Sequence, residues 1–222
     1  MESSRAPYGL VCALREELGT LEHRAQRRML HVGLEVLEVP VNGELLLACV
    51  GGIGKVAAAR AATALLSLGA RRALLVVGVC GGLKRHLVPG TFVHCTTAVQ
   101  ADFARREGRE IPSEPALREA WRALASGHEG WFLTADRPVL SLWRRMRLAR
   151  AFSGDCVADM ETAAVAATAA GAGVPWAALR AVTDRATRLG AFSFHTHFAS
   201  QAGRAADTVP ALIDELSRRS AT

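Results

Sequence analysis

Residues 45–79 read LLLACVGGIGKVAAARAATALLSLGARRALLVVGV, and this stretch decides the fold class. An apolar run, 45–50, stops at Gly51-Gly52-Ile53-Gly54. A segment rich in alanine and leucine, 55–68, follows between Gly54 and Gly69, the margins expected of a helix. A second apolar run, 73–79, leads into Gly78-Val79-Cys80-Gly81-Gly82. Short apolar runs alternating with amphipathic segments argue for an α/β sheet protein. The alternation continues outward on both sides. Strands are predicted at 8–14, 29–38, 91–99, 130–134 and 175–182, and helices at 15–24, 115–125, 138–150, 159–171 and 198–218. Asp159 is expected to cap helix 159–171, and Pro210 to kink or split the last helix. The polar stretch 101–115 reads as a surface excursion. Nothing resembles a linker or a repeat, so residues 1–222 are expected to form one domain.

Composition narrows the class. Of 222 residues, 50% are hydrophobic and 22% charged, which suits a packed protein rather than a disordered one. No apolar run approaches the roughly 20 residues of a spanning helix. Tyr8 to Leu14 runs straight into Arg15-Glu16-Glu17 and reads as a buried strand, not a signal peptide; a cytoplasmic protein is expected. The five cysteines are odd in number and form no CxxC pair, which fits a reducing compartment and supports neither a disulfide frame nor a zinc site. The net charge of +6 comes almost wholly from arginine, since Lys55 and Lys84 are the only lysines. The arginines are dispersed and aromatics are 5%, too few for a base-stacking platform, so nucleic acid is not an expected partner.

Two glycine loops follow strands. Gly52, Gly54 and Ala57 fit the G-x-G-x-x-A form of a dinucleotide fingerprint, which also needs an acidic residue about 20 positions on. None occurs between Glu44 and Asp102, and Lys55 lacks the Ser or Thr that follows it in a P-loop. A tight turn is the plainer reading. Gly78 to Gly82 closes an apolar strand, where open α/β sheets bind ligands in the crevice beyond their carboxyl ends. Acidic residues are scarce in the apolar half of the chain, which gives Glu17, Asp159, Glu161 and Asp184 weight. Each taken alone is ambiguous: Asp159 as a helix cap, Glu161 as a first-turn residue facing the helix dipole, Asp184 as a turn residue. His195 and His197 could share a strand face as metal ligands, but no third ligand suggests itself, and neither metal nor cofactor is expected.

Together these pieces resemble the superfamily of purine nucleoside phosphorylases and methylthioadenosine/adenosylhomocysteine nucleosidases. The carriers are Gly9 to Glu17, Gly52 to Ala59, Gly78 to Leu83, and Asp159-Met160-Glu161-Thr162-Ala163-Ala164 with Val174-Pro175 and Arg180-Ala181-Val182-Thr183-Asp184, co-linear from residue 9 to about 216. The resemblance implies a single-domain three-layer α/β fold, a central twisted mixed sheet flanked by helices. It implies Asp184 as the acid that protonates a departing purine and Glu17 as the carboxylate that activates water. Glu161 would grip ribose hydroxyls, Met160 would pack beneath the sugar, and Arg180 and Thr183 would support the acid. Val79, Cys80 and Gly81 would line the substrate turn. Val79 stands where the family usually has serine, and Val76 where some phosphorylases place an arginine, which disfavours phosphorolysis. Pro138 and Val139 replace an aromatic base-packing residue. Thr134-Ala135-Asp136-Arg137 is similar to phosphorylase-like enzymes that release adenine from an adenosyl lipid. The expected activity is hydrolysis of the N-glycosidic bond of a purine nucleoside, a 5′-modified adenosine type. Phosphorolysis, with phosphate as co-substrate, and a silent nucleoside sensor are the alternatives. Family members are usually homo-oligomers, and a dimer is expected.

Overall fold

The computed structural model describes residues 6–103, 110–186 and 196–220. At its centre are β1 (Tyr8–Cys12), β4 (Glu44–Val50), β5 (Leu74–Gly82) and β10 (Trp176–Asp184), all buried except at their ends. β5 runs parallel to β1 and to β10, and β1 runs parallel to β4. Continuous apolar runs of this kind suit strands covered on both faces. Outward from β4 the sheet turns antiparallel through β3 (Leu34–Val41) and β2 (Arg27–His31). On the other side β10 pairs antiparallel with β6 (Phe92–Gln100), which pairs parallel with β8 (His128–Thr134), and β8 with β9 (Asp155–Asp159). β9 then pairs antiparallel with the end of β5, so five strands close on themselves. A short β7 (Glu110–Pro112) hangs on β6. Among the described residues the mixed sheet thus has ten strands.

The period-2 alternation of the strands sends side chains to two helical layers. Val11, Cys49, Val76 and Ala178 pack with α2 (Lys55–Ser67) and α5 (Thr162–Gly171). Leu10, Ala48, Leu75 and Leu179 pack with α3 (Pro115–Leu124) and the C-terminal helix Val209–Arg219. A fully buried Trp121 joins those two helical segments by donating its indole N–H to Thr208 at 2.7 Å. Helix α4 (Leu142–Ala151) covers a smaller cluster that includes Leu83, Leu133 and Cys156. The three layers are as expected. All five cysteines are buried free thiols.

Several local expectations need correction. The strand expected at 29–38 is two strands turning at Val32-Gly33, both at positive φ. Helix 15–24 is a 3₁₀ turn, Arg15–Leu18, followed by the short α1 (Leu21–Arg24). The helix expected from 138 begins at Leu142. The one expected from Asp159 begins at Thr162, because Asp159 ends β9, a strand not anticipated. The last helix expected at 198–218 is indeed in two pieces, 196–201 and Val209–Arg219, but they are separated by turns at 202–208 and not by a kink at Pro210. That proline stands in the first turn of the C-terminal helix, where its missing N–H costs nothing.

Candidate active site

A cavity of about 320 Å³ opens where β1, β5, β9 and β10 end, a size suited to a small ligand. Its walls include Glu17, Val79, Cys80, Gly81, Met160, Glu161, Arg180, Thr183 and Asp184. The structure therefore brings together every residue that the sequence nominated for the site. Leu133, Pro138, Val139 and Leu140 form an apolar wall, and Arg137 joins the lining.

Glu17 arrives on the 3₁₀ turn after β1 and is 2% exposed. Its Oε2 accepts the backbone N–H groups of Ala13 (2.8 Å) and Leu14 (3.0 Å), and its Oε1 accepts that of Val79 (3.0 Å). Burial still pushes its carboxyl above the ordinary range, against the pull of Arg180 and these donors. Gly78 makes the approach possible. Its φ is +140°, and a Cβ there would collide with the Glu17 carboxylate.

The opposite wall is a buried ionic network. Arg180, in the middle of β10 and 2% exposed, donates to Glu161 Oε2 (3.0 Å), to the Val79 carbonyl (2.8 Å) and to Thr162 (3.2 Å), and its Nε lies 3.1 Å from Asp159. Burial opposes its charge, but Asp159, Glu161 and Glu17 more than offset this and hold it charged. Glu161 also accepts the Gly54 N–H at 3.0 Å, so the first glycine loop is tied to the site by its backbone. Burial raises the Glu161 carboxyl despite Arg180. The sequence had left Glu161 open as a residue serving the helix dipole. It occupies the N-cap position of α5 without capping it, because its carboxylate is turned to Gly54 and Arg180.

Asp159 does more than cap a helix. Besides receiving the Thr162 N–H at 3.3 Å, it accepts the Thr134 hydroxyl at 2.5 Å and stands beside Arg180. Asp159 ends β9 and Glu161 stands two residues on at the N-cap of α5, a junction that in sequence reads as a helix start alone. Thr134 and Gly54 were missed as site supports because each acts through contacts distant in sequence, and Thr162 because its local bond to Asp159 says nothing of its bond from Arg180, 18 positions on.

Asp184 reaches the cavity by a bulge. β10 slips register against β5 between Val182 and Asp184, so Thr183 is the extra residue and Asp184 lies opposite Gly81. Its Oδ1 accepts the Ala186 N–H at 2.5 Å and its Oδ2 lies 3.1 Å from the Thr183 hydroxyl. Burial raises its carboxyl above the usual aspartate value, against both bonds. Val76 is fully buried among the helices and takes no part in the lining, whereas Val79 serves through its N–H and carbonyl. Lys55 makes no nucleotide loop. Its ammonium pairs with Asp102 (2.7 Å) and Asp136 (3.4 Å), joining the glycine loop to the segment after β8. His195 lies outside the described residues, and with it the reading of His195 and His197 as metal ligands, which the sequence already disfavoured.

Residues 7–218 match the family model of the Phosphorylase superfamily. The chain belongs to the phosphorylase superfamily. Among curated members it is similar to 5′-methylthioadenosine/S-adenosylhomocysteine nucleosidases. That of Haemophilus ducreyi is 26% identical, covering 94% of this chain and 98% of its own. That of Haemophilus influenzae is 28% identical over 94% and 99%. Among solved superfamily structures, an S-adenosylhomocysteine nucleosidase from Streptococcus pyogenes in complex with 5-methylthiotubericidin superposes with a TM-score of 0.90 at 21% identity, over 97% of this chain and 99% of that one. At that identity the likeness establishes the fold.

Proposed function

We propose that this protein hydrolyses the N-glycosidic bond of a purine nucleoside. Breaking that bond builds positive charge on the ribose and negative charge on the leaving base. Asp184, its carboxyl raised by burial, is the acid that protonates the base. Glu17 takes the proton of the attacking water, with its carboxylate aimed by three backbone donors. Glu161, fixed by Arg180 and Gly54, receives the ribose hydroxyls, and Met160 packs against the sugar. These carboxylates also favour the cationic sugar of the transition state.

The charge of the cavity wall is the observation that carries water over phosphate. Glu17, Asp159, Glu161 and Asp184 line it, and the basic residues among the described lining are Arg137 and Arg180. Arg180 is spent on Asp159 and Glu161. Arg15, another possible phosphate ligand, is paired with Glu22 and Glu35. A phosphate dianion normally needs several committed donors. The curated nucleosidases support the same reading. The substrate class is a 5′-modified adenosine type, and the apolar wall at Pro138, Val139 and Leu140 suits an apolar 5′-group. The chain works as one domain, 1–222, and as a homo-oligomer, a dimer, in keeping with the exposed Leu142, Trp143 and Met146 of α4. Free thiols fit a cytoplasmic setting. Among the described residues no helix is long and apolar enough to cross a membrane.

A panel of purine nucleosides incubated with and without phosphate tests the reaction. The expected product is the free ribosyl sugar, formed at a rate that phosphate leaves unchanged. A ribosyl 1-phosphate appearing only with phosphate would transfer the assignment to phosphorolysis, and absence of base release from every nucleoside would favour the sensor.

A further inference from the structure

Among the described residues, one group of ligand-type side chains lies away from the cavity. His86 sits in the turn after β5, His128 is the first residue of β8, and Asp155 is the first of β9. Strand pairing brings these places together, since β9 lies between β8 and the end of β5. The Nε2 of His86 is 2.7 Å from Asp155 Oδ1, and the Nδ1 of His128 is 2.8 Å from Asp155 Oδ2. The two imidazole rings are 5.3 Å apart. One ligand atom from each residue lies within 4.8 Å of the others.

We propose that His86, His128 and Asp155 form a binding site for a divalent transition-metal cation of the zinc type, separate from the active site. Two imidazoles and one carboxylate are the donor set that such cations take, and a water can fill the fourth position. Tetrahedral zinc holds its nitrogen and oxygen ligands at about 2.0–2.2 Å, which sets them about 3.3 Å from one another. The His86–Asp155 and His128–Asp155 separations are shorter by about half an ångström, a gap that small rotations of the exposed imidazoles can open, and the two imidazole ligand atoms lie within 4.8 Å of each other. The imidazoles are 56% and 43% exposed and the carboxylate 19%, so the site is reached directly from solvent. The neighbouring cation Lys84 is turned to the carbonyls of Ala149 and Phe152, which leaves Asp155 to the two histidines. None of the three residues lines the catalytic cavity. They stand at the opposite end of β9 from Asp159, about 13 Å along the strand. A bound cation would therefore clasp the turn after β5 to β8 and β9 without touching the reacting groups.

Isothermal titration of zinc into the metal-stripped full chain near neutral pH tests the site, with cobalt absorption reporting the geometry. The expected result is one cation per chain, tetrahedral cobalt bands, and a thermal midpoint that rises on adding zinc. His86→Gln, His128→Gln and Asp155→Asn should each weaken binding at least about tenfold with circular dichroism unchanged. His197→Gln, outside the cluster, should leave it intact. Absence of stoichiometric binding, or binding equal in all four variants, would overturn the proposal and leave a hydrogen-bonded His–Asp–His cluster without metal.

Discussion

Two carboxylates of the cavity, the buried Glu17 and the half-buried Asp184, are built in opposite ways, and the difference can be measured. Asp184 accepts one backbone N–H and has one threonine hydroxyl beside it. An asparagine can keep its carbonyl on Ala186 and turn its amide to the Thr183 oxygen. Asp184 has a raised pKa in the folded chain, so its stabilising contribution is full at acid pH and fades as pH rises through that value. Asp184→Asn removes this loss. It should melt at or above the wild-type midpoint near neutral pH while turnover falls about 10²–10⁴-fold. The decline of wild-type rate towards high pH should vanish from whatever activity remains. Glu17 instead accepts three N–H groups on its two oxygens. In Glu17→Gln an amide N–H₂ must face at least one of those donors, at a cost of about 1–3 kcal/mol, so this variant should melt below wild type as well as lose activity. Equal melting of both variants would contradict these bonding patterns.

At the scale of elements, β5 matters because its end is shared by Glu17, Arg180 and Asp184. Gly78→Ala should lower stability by more than about 1 kcal/mol, through positive φ, and should displace the Glu17 carboxylate. Thermal melting with turnover checks this, and a variant that keeps full activity would show that Glu17 is not fixed from β5. How much of this was legible follows the same boundaries. The strand–helix alternation showed through because buried parallel strands are continuous apolar runs. β9 did not, since Asp155-Cys156-Val157-Ala158-Asp159 is short and acidic at both ends, and Asp159 before Thr162 mimics a helix cap. The Val32-Gly33 turn was hidden because valine seldom adopts positive φ. Glu17, Glu161 and Asp184 were legible through their motifs. Their contacts were not: Arg180, expected to support the acid Asp184, instead holds Glu161 and meets the Val79 carbonyl across 101 positions, and Gly54 meets Glu161 across 107.

For the molecule as a whole, one sheet links both helical layers, and its closed half leaves β2 and the short β7 at its margins. Arg27 and Arg28 are exposed on β2, where charge discourages pairing with another chain's edge. The buried thiols have a kinetic consequence. Only a thiolate is alkylated quickly, and burial pushes Cys49 and Cys156 up to about 11 and Cys12, Cys80 and Cys95 upward too. In the native protein the reagent must therefore wait for the chain to open. Cys49, Cys80 and Cys95 belong to the cluster under α2 and α5, Cys12 to the one under α3, and Cys156 to the one under α4. Each packed region thus carries its own stopwatch. If they open together, mass spectra taken during slow alkylation will contain unlabelled and fully labelled chains with little between. Early single labelling at Cys156 would mean instead that the α4 side loosens first, while the rest of the sheet keeps time.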